Sequence, residues 1–272
     1  MSLLLRDELR IVLSPTQVSM VHLGKGLQAS VVARQSATCD VTTLDEVPWV
    51  KALDSLEAML SKVTVKQANA KVMLSNHFVR YVLVPWSDQI SDENEEQAFI
   101  RHSFVQTYGV EAQRWALRMS PGGYGDTQVA SAVDQALLDG LERILAARGI
   151  YLASAQPYLM TAYNRWLPQL DGARSWFVLV EPGRLCLSLL HQGRWSSLQT
   201  AKIGDNWPKE LQNLLERELL VSEASIERGT VYLFAPGRVT DTVLPGWKVQ
   251  RLGAKHGIAS DTEMQLPLSM SE

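Results

Sequence analysis

One arrangement of strands occurs twice in this chain, and that repeat restricts the possible folds more than any other feature. Residues 9–34 read as a three-strand meander, turned at Ser14 to Thr16 and again at Gly24, Lys25 and Gly26. Residues 171–204, "DGARSWFVLVEPGRLCLSLLHQGRWSSLQTAKIG", read the same way, turned at Glu181-Pro182-Gly183 and at Gln192-Gly193. A meander followed by helices, present twice, predicts a duplicated α/β unit rather than one long sheet.

The connecting segments fit that plan. After Pro48, Leu53, Leu56, Leu60 and Val63 recur at helical spacing, and strands are predicted at 71–74 and 78–84. Asp92-Glu93-Asn94-Glu95 reads as a capping box, with the Asp92 side chain satisfying an orphan N–H and Glu95 reaching back. A helix over 93–108 follows, stopped by Gly109. Then come a strand at 115–119, the Gly-rich loop "SPGGYGD" and a strand at 127–133. Asp134 is placed to cap a helix whose Leu137, Leu141, Ile144 and Leu145 share one face, with Gly149 closing it. A strand at 151–156 and a short helix at 158–166 lead into the second meander. After that meander, Asp205, Asn206 and Pro208 open a helix burying Leu211, Leu214, Leu215 and Leu219. A strand at 230–234, an "APGR" turn and a short strand at 247–252 complete the pattern, and the tail from 254 lacks periodicity.

The expected organisation is a first half at 1–149 with an inserted subdomain at about 71–133, a second half at 150–253, and a loose tail at 254–272. Two βββαβα-like halves predict an α/β fold of the duplicated ribonuclease H-like, actin-like kind: two mixed sheets with helices around a cleft where such folds hold nucleotides.

Composition narrows the function. A chain of 272 residues, 46% apolar and 20% charged, buries a substantial core. Its net charge of -3 argues against disorder and against an electrostatic nucleic-acid binder. Cys39 and Cys186 stand far apart with no ligand-spaced neighbours, which suggests neither a disulfide framework nor a zinc site and fits a reducing cytoplasm. The opening "MSLLLRDELR" is too poor in apolar residues for a signal sequence, and no run reaches the ~18 to 20 apolar residues a membrane helix needs.

Phosphate binding in an actin-like cleft requires small residues at two hairpin turns and carboxylates to organise Mg²⁺ and water. The first turn lacks them. Val12 stands where an Asp is expected and Ser14 where a Gly is, while Pro15 removes a backbone donor beside Thr16. The second turn keeps one carboxylate, Glu181, and one glycine, Gly183, with Arg184 beside them to favour an anion. The late turn keeps Gly237, where a Gly-Gly pair would let backbone approach an adenine. All three therefore read as structural turns with degenerate nucleotide chemistry, without bound cofactor or metal.

Other candidates carry less. His22, His77, His102 and His191 lie on separate elements without shared spacing, which suits packed or surface histidines better than ligands. "GGYGD" joins two strands instead of opening a helix, so it reads as a hairpin tip rather than a phosphate cradle. Trp86, Trp115, Trp166, Trp195, Trp207 and Trp247 fall near element ends, most of them for packing, with the exposed ones available to anchor a partner.

"VRYVLVPWSDQISDENEEQAFIRHSFVQTYGVEAQRWALRMS" resembles the segment of PilM-type pilus-assembly proteins in which a strand, a Pro-containing turn, an acidic capped helix and a strand follow in order. "QVASAVDQALLDGLERILAARGIYLASAQPYLMTAYNRW", the second meander and "VYLFAPGR" are similar to that family's later elements, so the likeness covers most of 9–252. The chain is also similar to cytoplasmic domains of GspL-type secretion proteins and to MshI-type proteins of mannose-sensitive pili. PilM-type proteins carry an intact Asp-Gly-Ser loop and bind ATP. Val12 and Ser14 depart from it and move this chain toward the GspL and MshI side, where the fold is a scaffold.

The resemblance implies a cytoplasmic protein, peripheral at the inner membrane, that docks the tail of a PilN-like or GspM-like membrane protein and relays contact with the motor ATPase. It leaves room for a homodimer. GspL-type chains continue into a membrane helix that residues up to Glu272 do not include, so the chain is either standalone like PilM or part of a longer one. Two other readings stand beside the scaffold. One is an active or nucleotide-sensing actin-like ATPase using Glu181 and Arg184. The other is a small-molecule enzyme on a ribonuclease H-like fold, for which Asp40, Asp126 and Asp134 are poorly placed to cluster around metals.

Overall fold

The computed structural model describes residues 6–26, 30–39, 47–65, 67–88, 90, 92–221, 228–237 and 242–253. The first meander is β1 (Asp7–Leu13), β2 (Gln17–Leu23) and β3 (Val31–Thr38). With β4 (Ala68–Leu74) and β8 (Ile150–Pro157) it forms a five-stranded sheet in the order β3-β2-β1-β4-β8. The second meander is β9 (Arg174–Glu181), β10 (Arg184–His191) and β11 (Arg194–Lys202). It joins β12 (Thr230–Phe234) and β13 (Lys248–Arg251) in the order β11-β10-β9-β12-β13. In each sheet the meander strands are antiparallel and the two later strands run parallel to the first. The repeat read from the sequence is thus a repeat of topology. β8, just past Gly149, hydrogen-bonds into the first sheet beside β4.

Between β4 and β8 lies a smaller antiparallel sheet of β5 (Val79–Val84), β6 (Trp115–Met119) and β7 (Gln128–Asp134), in the order β5-β7-β6. Helix α2 (Glu93–Tyr108) covers it. Asp92 caps α2 by accepting from the Asn94 and Glu95 N–H groups at 2.8 and 2.9 Å. Ile100 and Phe104 bury its inner face against Val82, Val84, Leu117 and Ala130, giving this subdomain a core of its own.

The remaining helices are α1 (Val50–Leu60), α3 (Gln135–Ala146), α4 (Tyr158–Trp166) and α5 (Trp207–Val221). Asp134 caps α3 through the Ala136 N–H, as its position predicts. α1 stops at Leu60, so Val63 packs from beyond the helix rather than from its face. In α5 the buried positions are Trp207, Leu211, Leu215 and Glu218, with Leu214 and Leu219 only partly covered. Glu218 is tolerated there because the Ser197 hydroxyl, at 2.5 Å, and the Gln199 amide, both on β11, donate to its carboxylate.

Period-two alternation decides what each face of β9 meets. Trp176, Val178 and Val180 face α5. Phe177 and Leu179 face the other way, into the large core that also contains α4, β1 and β4. That core spans both halves, with Tyr163 of α4 packed edge-on against Phe177 at 5.9 Å. The same parity carries the last residue of β9, Glu181, toward the first half. Its cross-strand partner Arg184 starts β10 on that same face.

The predicted tail at 254–272 lies outside the described residues, as does Asp40. Among the described residues, no helix is long and apolar enough to cross a membrane.

Candidate functional site

The turn between β4 and β5, Ser75-Asn76-His77, joins the two hairpin turns singled out in the sequence. Ser75 N–H donates to Leu13 O at 2.9 Å, at the end of β1. From the same three residues, contacts run to the second turn. The Ser75 hydroxyl donates to Glu181 Oε1 at 2.6 Å, and the Asn76 backbone N–H and Nδ2 donate to Glu181 Oε2 at 3.0 and 2.5 Å. The His77 Nε2 lies 2.9 Å from Pro182 O.

Asn76 is held in turn. Its Oδ1 accepts from the Tyr81 hydroxyl at 2.5 Å and from the Leu159 N–H at 3.2 Å, at the start of α4. Ser75, Asn76 and Glu181 are all buried, and Glu181 is 6% exposed. The cluster therefore ties β1, β4, β5, α4 and β9 together in one satisfied polar network, the arrangement a low-dielectric site requires if it is not to cost stability.

Electrostatics follow the burial. Loss of water pushes the Glu181 carboxyl above its ordinary range, opposed by the donated hydrogen bonds from Ser75 and Asn76 and by the charge of Arg184. Burial raises Tyr81 and Cys186 well above their ordinary values, with the Glu181 charge adding to both. His77 is lowered, first by burial and then by the positive charges of Arg184, Arg80 and Lys202. The Arg184 Nε is buried without a hydrogen-bond partner.

The residues named from the sequence fall as follows. Val12 is on β1, half-buried against the central core. Ser14 is spent on its own turn, its hydroxyl donating to Gln17 O at 2.8 Å and accepting from the Gln17 N–H. Thr16 is exposed, and its carbonyl accepts from the Cys39 N–H at 2.8 Å. Pro182 and Gly183 form a tight turn in which Gly183 has φ +75°, the combination of a type II turn. Glu181 and Arg184 are cross-strand neighbours at its base. Gly237 is exposed after β12, with φ +75°.

The first and second turns are brought together through Ser75 and Asn76, two residues that composition and periodicity did not single out. The only local signal was a polar Ser-Asn-His triplet between two strongly apolar strands. The histidines are scattered as expected: His22 bonds Asp7 at 2.9 Å, far from His77 in the fold. Among the described residues, no group of three His, Cys, Asp or Glu side chains is placed to hold a metal ion.

No family model matches the sequence, and no curated protein matches it. Solved structures do match. One is described as the PilM-PilN type IV pilus biogenesis complex, at 15% identity over 90% of this chain and 88% of the other, with a TM-score of 0.62. The chain has the actin-like ATPase fold. A second match is the cytoplasmic domain of EpsL, an inner membrane component of the type II secretion system of Vibrio cholerae, at 11% identity over 98% and 96% of the chains, TM-score 0.59. A third is a Bacteroides thetaiotaomicron protein of actin-like ATPase fold and unknown function, at 12% identity over 98% and 97%, TM-score 0.60.

That fold makes a Mg²⁺-nucleotide in the cleft the natural expectation, and the residues present do not fit it. Both oxygens of the one carboxylate at the two turns are committed to Ser75 and Asn76, and the Ser14 hydroxyl is committed to Gln17. Beside Glu181, the Arg184 Nε is a donor without a hydrogen-bond partner.

Proposed function

We propose that the chain is a non-enzymatic scaffold on the actin-like fold, part of an inner-membrane platform of a type IV pilus, MSHA-like, or of a type II secretion system. In this reading it is cytoplasmic and held at the membrane through partners. It docks the cytoplasmic tail of a PilN-like or GspM-like membrane protein and contacts the motor ATPase. The observation that carries the reading is the use of Glu181 as an internal hydrogen-bond acceptor for Ser75 and Asn76, which makes the one carboxylate at the two turns a clamp between the halves. Likeness of fold to the PilM-PilN complex and to the EpsL domain supports the choice of system.

The test is calorimetric titration of the protein with the N-terminal tail peptide of a PilN-like protein, beside a titration with Mg-ATP. Tail binding without ATP binding is expected. ATP binding without tail binding would replace the scaffold with the second reading, a nucleotide-sensing actin-like protein, which the unpartnered Arg184 Nε favours. Arg184→Ala would then abolish the ATP heat.

A further inference from the structure

The inserted subdomain carries a recess of about 220 Å³ at the end of its sheet where β5 finishes and β7 begins. Its floor is the partly buried Phe99 and Met119, packed against the subdomain core in which Val84 and Ile100 are fully buried. Its rim is Trp86 and Tyr124, whose rings lie 4.4 Å apart, Trp86 36% and Tyr124 86% exposed. Tyr124 belongs to the Gly-rich hairpin and Trp86 to the Pro-containing turn, two segments noted in the sequence and unused by the clamp at Glu181.

The size and charge of the recess select its occupant. A cofactor or drug-sized ligand fills roughly 300–1,000 Å³, so 220 Å³ suits one or two apolar side chains. A mixed aromatic and methionine lining with rim tryptophan is the composition of a peptide-anchoring site. No Lys, Arg or His lines it, whereas Glu96 does, on the first turn of α2 beside Glu93. The charge complementary to that wall is positive.

We propose that this recess is a docking site for a cationic, apolar polypeptide segment, which inserts a Leu- or Phe-sized side chain over Phe99 and Met119, under Trp86 and Tyr124, and sets a Lys or Arg against Glu96. The proposal deepens the scaffold reading and rests on it for the expectation of a protein partner. Its test requires no pilus or secretion component.

The probe is the synthetic peptide acetyl-Lys-Leu-Phe-Leu-Lys-amide, titrated into ¹⁵N-labelled protein while the Trp86 indole N–H signal is followed, with a twin in which Glu replaces both Lys. The expected result is saturable movement of the Trp86 signal by the cationic peptide, about tenfold weaker binding of the acidic twin, and weakening in about 0.5 M salt. Glu96→Lys is expected to reverse the preference between the twins, and Tyr124→Ala to weaken the cationic peptide several-fold. Glu96→Gln, which removes the charge with least change of shape, serves as the second variant and is expected to erase the preference. An unmoved Trp86 signal at millimolar peptide, or equal binding of both twins by wild type, overturns the proposal. Because the probe reports at Trp86 directly, a failed tail titration counts against the scaffold reading, and a failed probe titration counts against this site.

Discussion

Asn76 and Glu181, 105 residues apart in sequence, are joined by two hydrogen bonds of 3.0 and 2.5 Å, both donated by Asn76 to the same carboxylate oxygen. Asn76 brings no acceptor to that contact, because its Oδ1 is engaged by Tyr81 and Leu159. The pair is therefore directional: donors come from the first half and the acceptor from the second. Three consequences can be measured.

Glu181→Gln is expected to be mild. The Gln oxygen can take both Asn76 donors and its amide can donate to the Ser75 hydroxyl oxygen, which also accepts from the His77 N–H at 3.2 Å, so only the Ser75 O–H loses its acceptor. Glu181→Ala strands three buried donors, at about 1–3 kcal/mol each before relaxation, and a loss of about 3–5 kcal/mol is expected in urea unfolding. Equal effects of the two variants would show that the carboxylate is not the acceptor that holds the turn.

The pH dependence has opposite signs at two carboxyls. Glu181 is raised in the folded protein, so the folded state holds its proton longer than the unfolded chain. Its contribution is complete below the unfolded carboxyl range and is lost as pH rises through the folded value. Asp7 is lowered, chiefly by its hydrogen bond with His22, so its contribution is present above the unfolded range and is lost as pH falls through the folded value. Unfolding midpoints of wild type and Glu181→Gln, followed from about pH 4 to about pH 8, should diverge, with the variant losing less stability on the upward side. Parallel curves would contradict the shift.

Asn76→Asp keeps the shape, retains an acceptor for Tyr81 and Leu159, and replaces the Nδ2 donor with an oxygen facing Glu181. Two buried carboxyls in contact cannot both ionise cheaply, so a loss of about 2–4 kcal/mol is expected near neutral pH. The loss should shrink in acid, where one shared proton restores a hydrogen bond. A pH-independent defect would mean that the side chain acts only through packing.

Gly229 has φ +73°, and a Cβ there would lie 2.4 Å from the Arg174 carbonyl oxygen, which is backbone and cannot give way. At Gly193, φ +77°, a Cβ would meet nothing within 4 Å. Gly193→Ala is therefore expected to cost about 1 kcal/mol of backbone strain, and Gly229→Ala about 2–4 kcal/mol, read as a gap between their melting temperatures.

The sequence revealed much of this architecture because many of its boundaries are set by local chemistry. Asp92 and Gly109 bracket α2 with a cap and a residue of positive φ, and Pro182-Gly183 and Gln192-Gly193 fix hairpins between runs of alternating parity. The topological repeat followed from those local signals. The clamp did not, since the meeting of Ser75 and Asn76 with Glu181, 106 and 105 residues away in the chain, depends on how β4 lies beside β1 and how α4 seats the second sheet. Glu181 was legible as a surviving carboxylate, but the commitment of its oxygens was not. In the same way α5 reads as a leucine face, yet Glu218 occupies a buried place on it because Ser197 and Gln199 wait on β11.

The central claim is that the cleft of an actin-like fold has been turned into an internal clamp. It is tested most directly by the melting temperature of the purified protein with and without millimolar Mg-ATP. A ligand present at a hundred times its Kd stabilises by about 2.7 kcal/mol, a rise of roughly 5–10 °C in a chain of this size. The clamp predicts no rise. A reproducible rise of that size, abolished by Arg184→Ala, would contradict it and make Glu181, Arg184 and Gly237 parts of a working nucleotide site.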